Sequence, residues 1–335
     1  MFKLIITIHV LVLVTIYADE SGSDFYIISS SEKRTRRFNY VLAVSYNQPK
    51  LCPYAEWNAI ATTFANIIET KPHGIFINRK NNVYIAALGK QQIIIWLNGS
   101  QTESLILNVG HNPYSVFVTK SDDIYVETGG KRVGKWKLNQ SNLTWENIFS
   151  DRCFGLFVDL NDSLYCSIES QHVVEKIPLN NLTNASKILV AGNYSVGSSS
   201  DMLNKPHGIF IDINFNLYVA DCGNNRIQRF ELGQKTGTTV VNNILNCPTG
   251  VILDSDNNLY IVDHFNRIVR SRESIFECLV GCTNEPGSTS STLDNPFSLA
   301  FDSYGNIFVT DMNNNRIQKF TLISNSCSKY LHGKY

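Results

Sequence analysis

The apolar positions of this chain come in short bursts. Runs of five to seven residues in which β-branched and aromatic side chains dominate, such as 208–212, 216–220 and 226–232, alternate with clusters of Asp, Asn and Gly. None is long enough, or has the three-and-four spacing, for an amphipathic helix. The pattern predicts strands joined by tight turns.

The bursts also recur. "KPHGIFI" stands at 71–77 and again, letter for letter, at 205–211. Aligned on that phrase, the chain falls into six units beginning near Lys71, Asn112, Arg152, Lys205, Cys247 and Asn295. A period of roughly 40 to 50 residues belongs to propellers and helical arrays, and the strand composition selects the propeller. Each unit has three strands, and a fourth apolar stretch follows, for example at 186–192 and 238–245. That makes one blade per unit. The expected fold is all-β, a six-bladed propeller with four antiparallel strands per blade, over 51–328 with a tail at 329–335. The last unit stops after its third strand, at 316–323, whereas "IATTFANI" at 60–67 precedes the first unit with no inner strands of its own. It is expected to supply the missing outer strand and close the ring.

The strings "NLYVADCGNNRIQRF" (216–230) and "NIFVTDMNNNRIQKF" (306–320) resemble the NHL repeat family of six-bladed propellers. The resemblance spans about residues 60 to 325. It is strong in units four and six and good in five, but "ALGKQQI", "ETGGKRV" and "SIESQHV" replace the signature in units one to three. It implies the same propeller. The signature residues Asp221, Asn225 and Arg226, Asp263, Asn266 and Arg267, and Asp311, Asn315 and Arg316 recur blade after blade, as a catalytic set rarely does. Their expected roles are structural: aspartate capping turn amides, asparagine in the left-handed conformation, arginine sealing the blade edge.

The N-terminus adds a location. An apolar run from Leu4 to Tyr17, followed by Ala18 and acidic residues, is short for a membrane span and suits a signal peptide at 1–18; an uncleaved signal anchor is the alternative. Residues 19–50 read as a polar linker or a propeptide ending at the basic cluster Arg34 to Arg37. Sequons at Asn98, Asn139, Asn142, Asn161, Asn181, Asn184 and Asn193 and an even count of eight cysteines fit a secreted, glycosylated, disulfide-bonded chain. Cys52 and Cys327 flank the proposed ring closure and are expected to pair. Cys222 with Cys247 would join neighbouring loops on one face, Cys278 with Cys282 a local bend, and Cys153 with Cys166 is left by elimination.

Lysine plus arginine equals aspartate plus glutamate at 29 each, which opposes nucleic-acid binding. No RING, B-box or coiled coil accompanies the repeats, and there is no G-x-S-x-G, H-E-x-x-H or P-loop. His73 and His207 are the sharpest candidates, because blades one and four face each other across a six-bladed ring. The chain is similar here to peptidyl-α-hydroxyglycine α-amidating lyase, and that resemblance implies zinc held by three such histidines. The equivalent positions of the other blades hold Tyr114, Phe154, Thr249 and Phe297, so the two histidines fall short of a catalytic set. A calcium site of the lactonase kind would need convergent acids that cannot be picked out. The resulting expectation is no catalytic residue and no cofactor: a secreted, monomeric binding or scaffold module for an extracellular protein, peptide or glycan. The alternative is a zinc-dependent lyase or calcium-dependent hydrolase in the channel.

Overall fold

The computed structural model describes residues 3–6, 14–18, 25–29 and 36–38 near the N-terminus, and 44–327 apart from 101, 128, 130–131, 138–143, 148, 150, 182–185, 266 and 273–274. The chain divides into two units, Met1–Val44 and Ser45–Tyr335. In the first, Lys3–Ile6, Val14–Ala18, Phe25–Ser29 and Arg36–Phe38 form an antiparallel sheet in chain order, so Ala18 and Arg37 are both strand residues. No helix among the described residues is long and apolar enough to cross a membrane.

The second unit is a six-bladed propeller. Blade four shows the plan: Pro206–Ile211, Leu217–Asp221, Arg226–Phe230 and Thr238–Val241 pair antiparallel from the axis outward. The innermost strands open at Pro72, Ser115, Gly155, Pro206, Pro248 and Pro296. In blade six, Thr62–Asn66 pairs with Arg316–Phe320, so the first strand of the ring completes its last blade. The third strand of that blade is shorter than its apolar run suggests. The chain leaves it after Phe320, and Leu322–Ser326 pairs with Tyr54–Trp57 in a separate ribbon. The physical reason is that Leu51, Ala55 and Trp57 are apolar and need cover; they share a core with Tyr260 and Phe320. Trp57 Nε1 is satisfied by Gly305 O at 2.9 Å.

Successive inner strands run very close together. A Cβ at Gly74 or Gly208 would stand 2.9 Å or 2.7 Å from the backbone of the next blade, which is why the repeated phrase carries glycine after histidine. Ties between blades use the turn before the third strand. Asn225 and Asn315 adopt left-handed φ of 55° and 51°, which asparagine tolerates. Their side-chain oxygens then accept the first amide of the next blade, Cys247 N at 2.8 Å and Lys71 N at 2.9 Å. His172 does the same in blade three: φ is 58° and Nδ1 accepts Lys205 N at 3.1 Å.

The aspartate and arginine of the signature work on the preceding loop. Fully buried Asp221 accepts Asn204 N and the Arg226 Nε, both at 2.7 Å, while the Arg226 fork donates to the carbonyls of Ser198, Ser199 and Met202. Asp311 and Arg316 repeat this with Asp294 N and the carbonyls of Ser288, Thr289 and Thr292. Asp263 accepts Asn246 N and Arg267 Nε at 2.6 and 2.7 Å; Asn266 lies outside the described residues. Removing any of the three arginines would leave a buried carboxylate without its counter-charge.

Four disulfides join Cys52 to Cys327, Cys153 to Cys166, Cys222 to Cys247 and Cys278 to Cys282. The blade-three ladder starts at Gly155, so Cys153 is free of strand register and its Cα reaches 5.1 Å from that of Cys166. The Cys52–Cys327 bond closes a separation of 275 residues across the ring seam. In the chain-entropy account, opening it in a Cys52→Ser, Cys327→Ser variant costs ~5 kcal/mol. Denaturant unfolding is the check; an unchanged midpoint would show that the Thr62–Asn66 strand alone holds the seam.

Candidate functional site

One end of the channel is built from the residue just before the small Gly or Ser step of each inner strand. His73, Tyr114, Phe154, His207 and Phe297 meet there, ring against ring, and buried Thr249 takes the blade-five position. Phe154 stacks on His207 with centroids 4.8 Å apart and planes at 11°. The two histidines therefore do not face each other across an open bore; Phe154 and Phe297 each touch both. Hydroxyls from the neighbouring blade's second strand hold their backbones: Thr310 Oγ1 donates to His73 O at 2.8 Å, and Ser167 Oγ to His207 O.

The opposite end is stoppered. Tyr46 inserts its ring among Phe117, Phe157 and Phe210, and the flanking residues bind three blades: Asn47 to the carbonyls of Asn78 and Phe301, and Gln48 to that of Asp254. Burial raises the Tyr46 hydroxyl well above its ordinary pKa, so it stays neutral. Between the two aromatic layers remains a cavity of about 110 Å³, bordered by small residues including Gly74, Ser115, Gly155, Gly208, Gly250 and Ser298.

The chemistry concentrates on His207. Its Nδ1 and Nε2 are both buried and make no hydrogen bond among the described residues. A ligand atom of His207 and the sulfurs of Cys222 and Cys247 lie within 4.8 Å of one another. Cys222 opens the short turn after the second strand of blade four, and Cys247 is the first residue of blade five, so both reach the His207 end of the channel. Glu169 opens the equivalent turn of blade three and places Oε1 3.9 Å from His207 Nε2. The His207 imidazole holds the Glu169 carboxyl below the usual range, against the upward pull of burial; Lys205 and Arg152 add to the lowering.

A buried imidazole with both nitrogens unsatisfied, beside two sulfurs and a carboxylate, is the donor chemistry of a zinc site. In this structure the two sulfurs are bonded to each other, and a disulfide is not a thiolate ligand. The set fits a divalent metal when the pair is opened to the dithiol: one imidazole and two thiolates, with a position left for substrate or water. The cluster corrects the expectation of no cofactor. Looking for three histidines at equivalent blade positions missed it because two of the donors come from turns, not from inner strands. A signal was there, since Cys222, Cys247 and the start of the His207 strand all fall at one end of the propeller.

Among the sequons, Asn98 and Asn161 are exposed in turns at the Tyr46 end, and Asn181 lies in a short turn. Asn193 is half-buried and donates to Asp201 Oδ2 at 3.1 Å; Asn139, Asn142 and Asn184 lie outside the described residues.

No family model matches the chain, and no curated protein matches it. Solved structures share its fold. A streptogramin B lyase aligns with a TM-score of 0.56 at 14% identity over 78% of this chain and 97% of its own. A catalytically inactive histidine variant of virginiamycin B lyase from Staphylococcus aureus, with quinupristin, aligns with a TM-score of 0.55 at 15% identity over 80% and 100%. A Bacteroides thetaiotaomicron protein of unknown function gives 0.64 at 14% identity over 95% and 87%. Such identities establish the propeller fold alone. The His207 cluster itself counts against a module without chemistry, and the expectation of a binding or scaffold protein with no catalytic set is corrected accordingly.

His73 serves differently. It is 4% exposed, and its Nδ1 lies 2.9 Å from Tyr114 O, so this nitrogen carries the proton and donates it. Burial lowers its pKa to about 3; the Tyr114 bond opposes the shift, and the nearby His207 and Arg152 reinforce it. The unfolded chain takes up a proton near pH 6.5 that the folded chain refuses until about pH 3. Stability from this group is full above pH 6.5 and declines between those values by about 1.4 kcal/mol per pH unit. A His73→Phe variant is expected to lose that part of the acid dependence, and parallel acid unfolding curves for the two proteins would exclude it.

Proposed function

We propose that this chain is a metal-dependent lyase of the propeller type, working at the His207 end of the channel. The observation that carries the reading is the buried, hydrogen-bond-free imidazole of His207 within 4.8 Å of two cysteine sulfurs. His207, Cys222 and Cys247 would hold the metal, the cysteines as thiolates. When bound there, a divalent metal supplies Lewis-acid polarisation of a substrate oxygen.

The protein's own residues do the rest. Glu169, kept ionised and half-buried beside His207, is the group placed to accept a proton from the substrate. Phe154 fixes the imidazole plane by stacking, and Phe297 with Tyr114 narrows the water-accessible space around it. His73, neutral at physiological pH, keeps its proton on Nδ1, donated to the Tyr114 carbonyl, and adds no charge to the mouth.

NHL membership and passage through the secretory pathway belong to the same proposal. The signature strings of units four to six support the first; the apolar N-terminal run and the sequons support the second. An oxidising compartment would keep the cysteine pair closed, so metal loading would follow its two-electron reduction by an external dithiol, which is oxidised to its own disulfide as Cys222 and Cys247 become thiols.

Metal analysis of the purified protein tests the reading. With reductant and zinc, about one equivalent should be retained, and His207→Ala or Cys222→Ser should abolish retention. A reduced protein that binds no zinc, or a His207→Ala variant that keeps it, overturns the assignment.

A further inference from the structure

Arg152 is the first residue of blade three, the position that Lys71, Lys205 and Cys247 occupy in other blades. Its guanidinium lies over the ring of Tyr114, 4.3 Å from the centroid. Among the described residues its side chain makes no hydrogen bond and no ion pair, and its Nε is buried without a partner. A half-buried guanidinium left this way is unusual, since five donors normally find carboxylates or carbonyls. The signature arginines of blades four to six show the ordinary outcome, each forked onto an aspartate and loop carbonyls.

The nearby acids are committed elsewhere. Asp151 accepts the amide of Arg152 at 2.8 Å and the hydroxyl of Ser170 at 2.7 Å, and Glu169 stands against His207. Glu127, a third acid beside Gly129, accepts the Gly129 amide through Oε1 at 2.8 Å, and His73 is neutral. Gly129 borders the guanidinium, and a Cβ placed there would stand 3.6 Å from both Arg152 Nη2 and the Tyr114 ring.

We propose that Arg152 is a carboxylate-binding residue, and that the mouth takes anionic ligands whose carboxylate engages Arg152 while an attached aromatic or apolar group lies on the half-buried faces of Tyr114 and Phe154. As a statement about substrate class this rests on the lyase reading. As a binding site it does not, because Arg152 contributes nothing to the metal set.

The test uses the oxidised, metal-free protein, with phenylacetate as probe and phenylacetamide as its uncharged counterpart, titrated by NMR. Phenylacetate is expected to bind saturably, with the amide weaker by about tenfold or more. Arg152→Met should weaken phenylacetate by a similar factor and leave the amide unchanged, and Arg152→Lys should retain part of the preference. Equal binding of acid and amide, no saturable binding of the acid, or undiminished acid binding by Arg152→Met each overturns the proposal. If Arg152→Met does not fold, the acid–amide comparison in the wild type and in Arg152→Lys still decides it. Zinc retention is measured separately, so either result can fail without the other.

Discussion

A left-handed residue at the turn before the third strand, reaching across to the first amide of the next blade, sets the relation of blades three, four and six to the blades that follow them. Asn225 to Cys247, Asn315 to Lys71 and His172 to Lys205 are three instances of this bond. Each tie fixes where the following inner strand begins, and that start carries the residue that looks into the mouth. His73 and His207 meet the same aromatic neighbours because their strands are launched in this way and then held by the Thr310 and Ser167 hydroxyls. The tie also forms the ring, since Asn315 joins the last blade to the first.

The architecture was legible because a propeller repeats its local chemistry. Turn residues, strand lengths and the orphan outer strand at 60–67 are each local facts of sequence, and six copies reinforce one another. The degenerate blade three shows why the motif alone was not needed: His172 takes the left-handed position and the bond that asparagine makes elsewhere. The ribbon of Tyr54–Trp57 with Leu322–Ser326 was not legible, because its partners are 250 or more residues apart and its apolar face answers to Tyr260.

The site was legible only in part. His207 stands out by repetition, but its chemistry is set by Cys222, Cys247 and Glu169, which are unrepeated and come from the turns and first positions of three blades. An alignment of equivalent positions favours what recurs, whereas reactive groups converge from positions that do not. Burial completes the picture: the aromatic shell raises the cost of charge on His73, and the same shell surrounds the His207 imidazole, whose nitrogens make no hydrogen bond among the described residues and whose nearest charged group is the Glu169 carboxylate.

Tyr46 turns a bore into a cul-de-sac. With its ring wedged among Phe117, Phe157 and Phe210 and its neighbours Asn47 and Gln48 bonded to the rim, traffic through the axis is blocked at that end. Anything that reaches the interior has to pass the aromatic ring of His73, Tyr114, Phe154, His207 and Phe297 at the other end, both coming and going. On the lyase reading, arrival and departure would compete for one threshold, a departing molecule that still carried a carboxylate would occupy the place of the next arrival, and turnover would be paced by how quickly the threshold cleared.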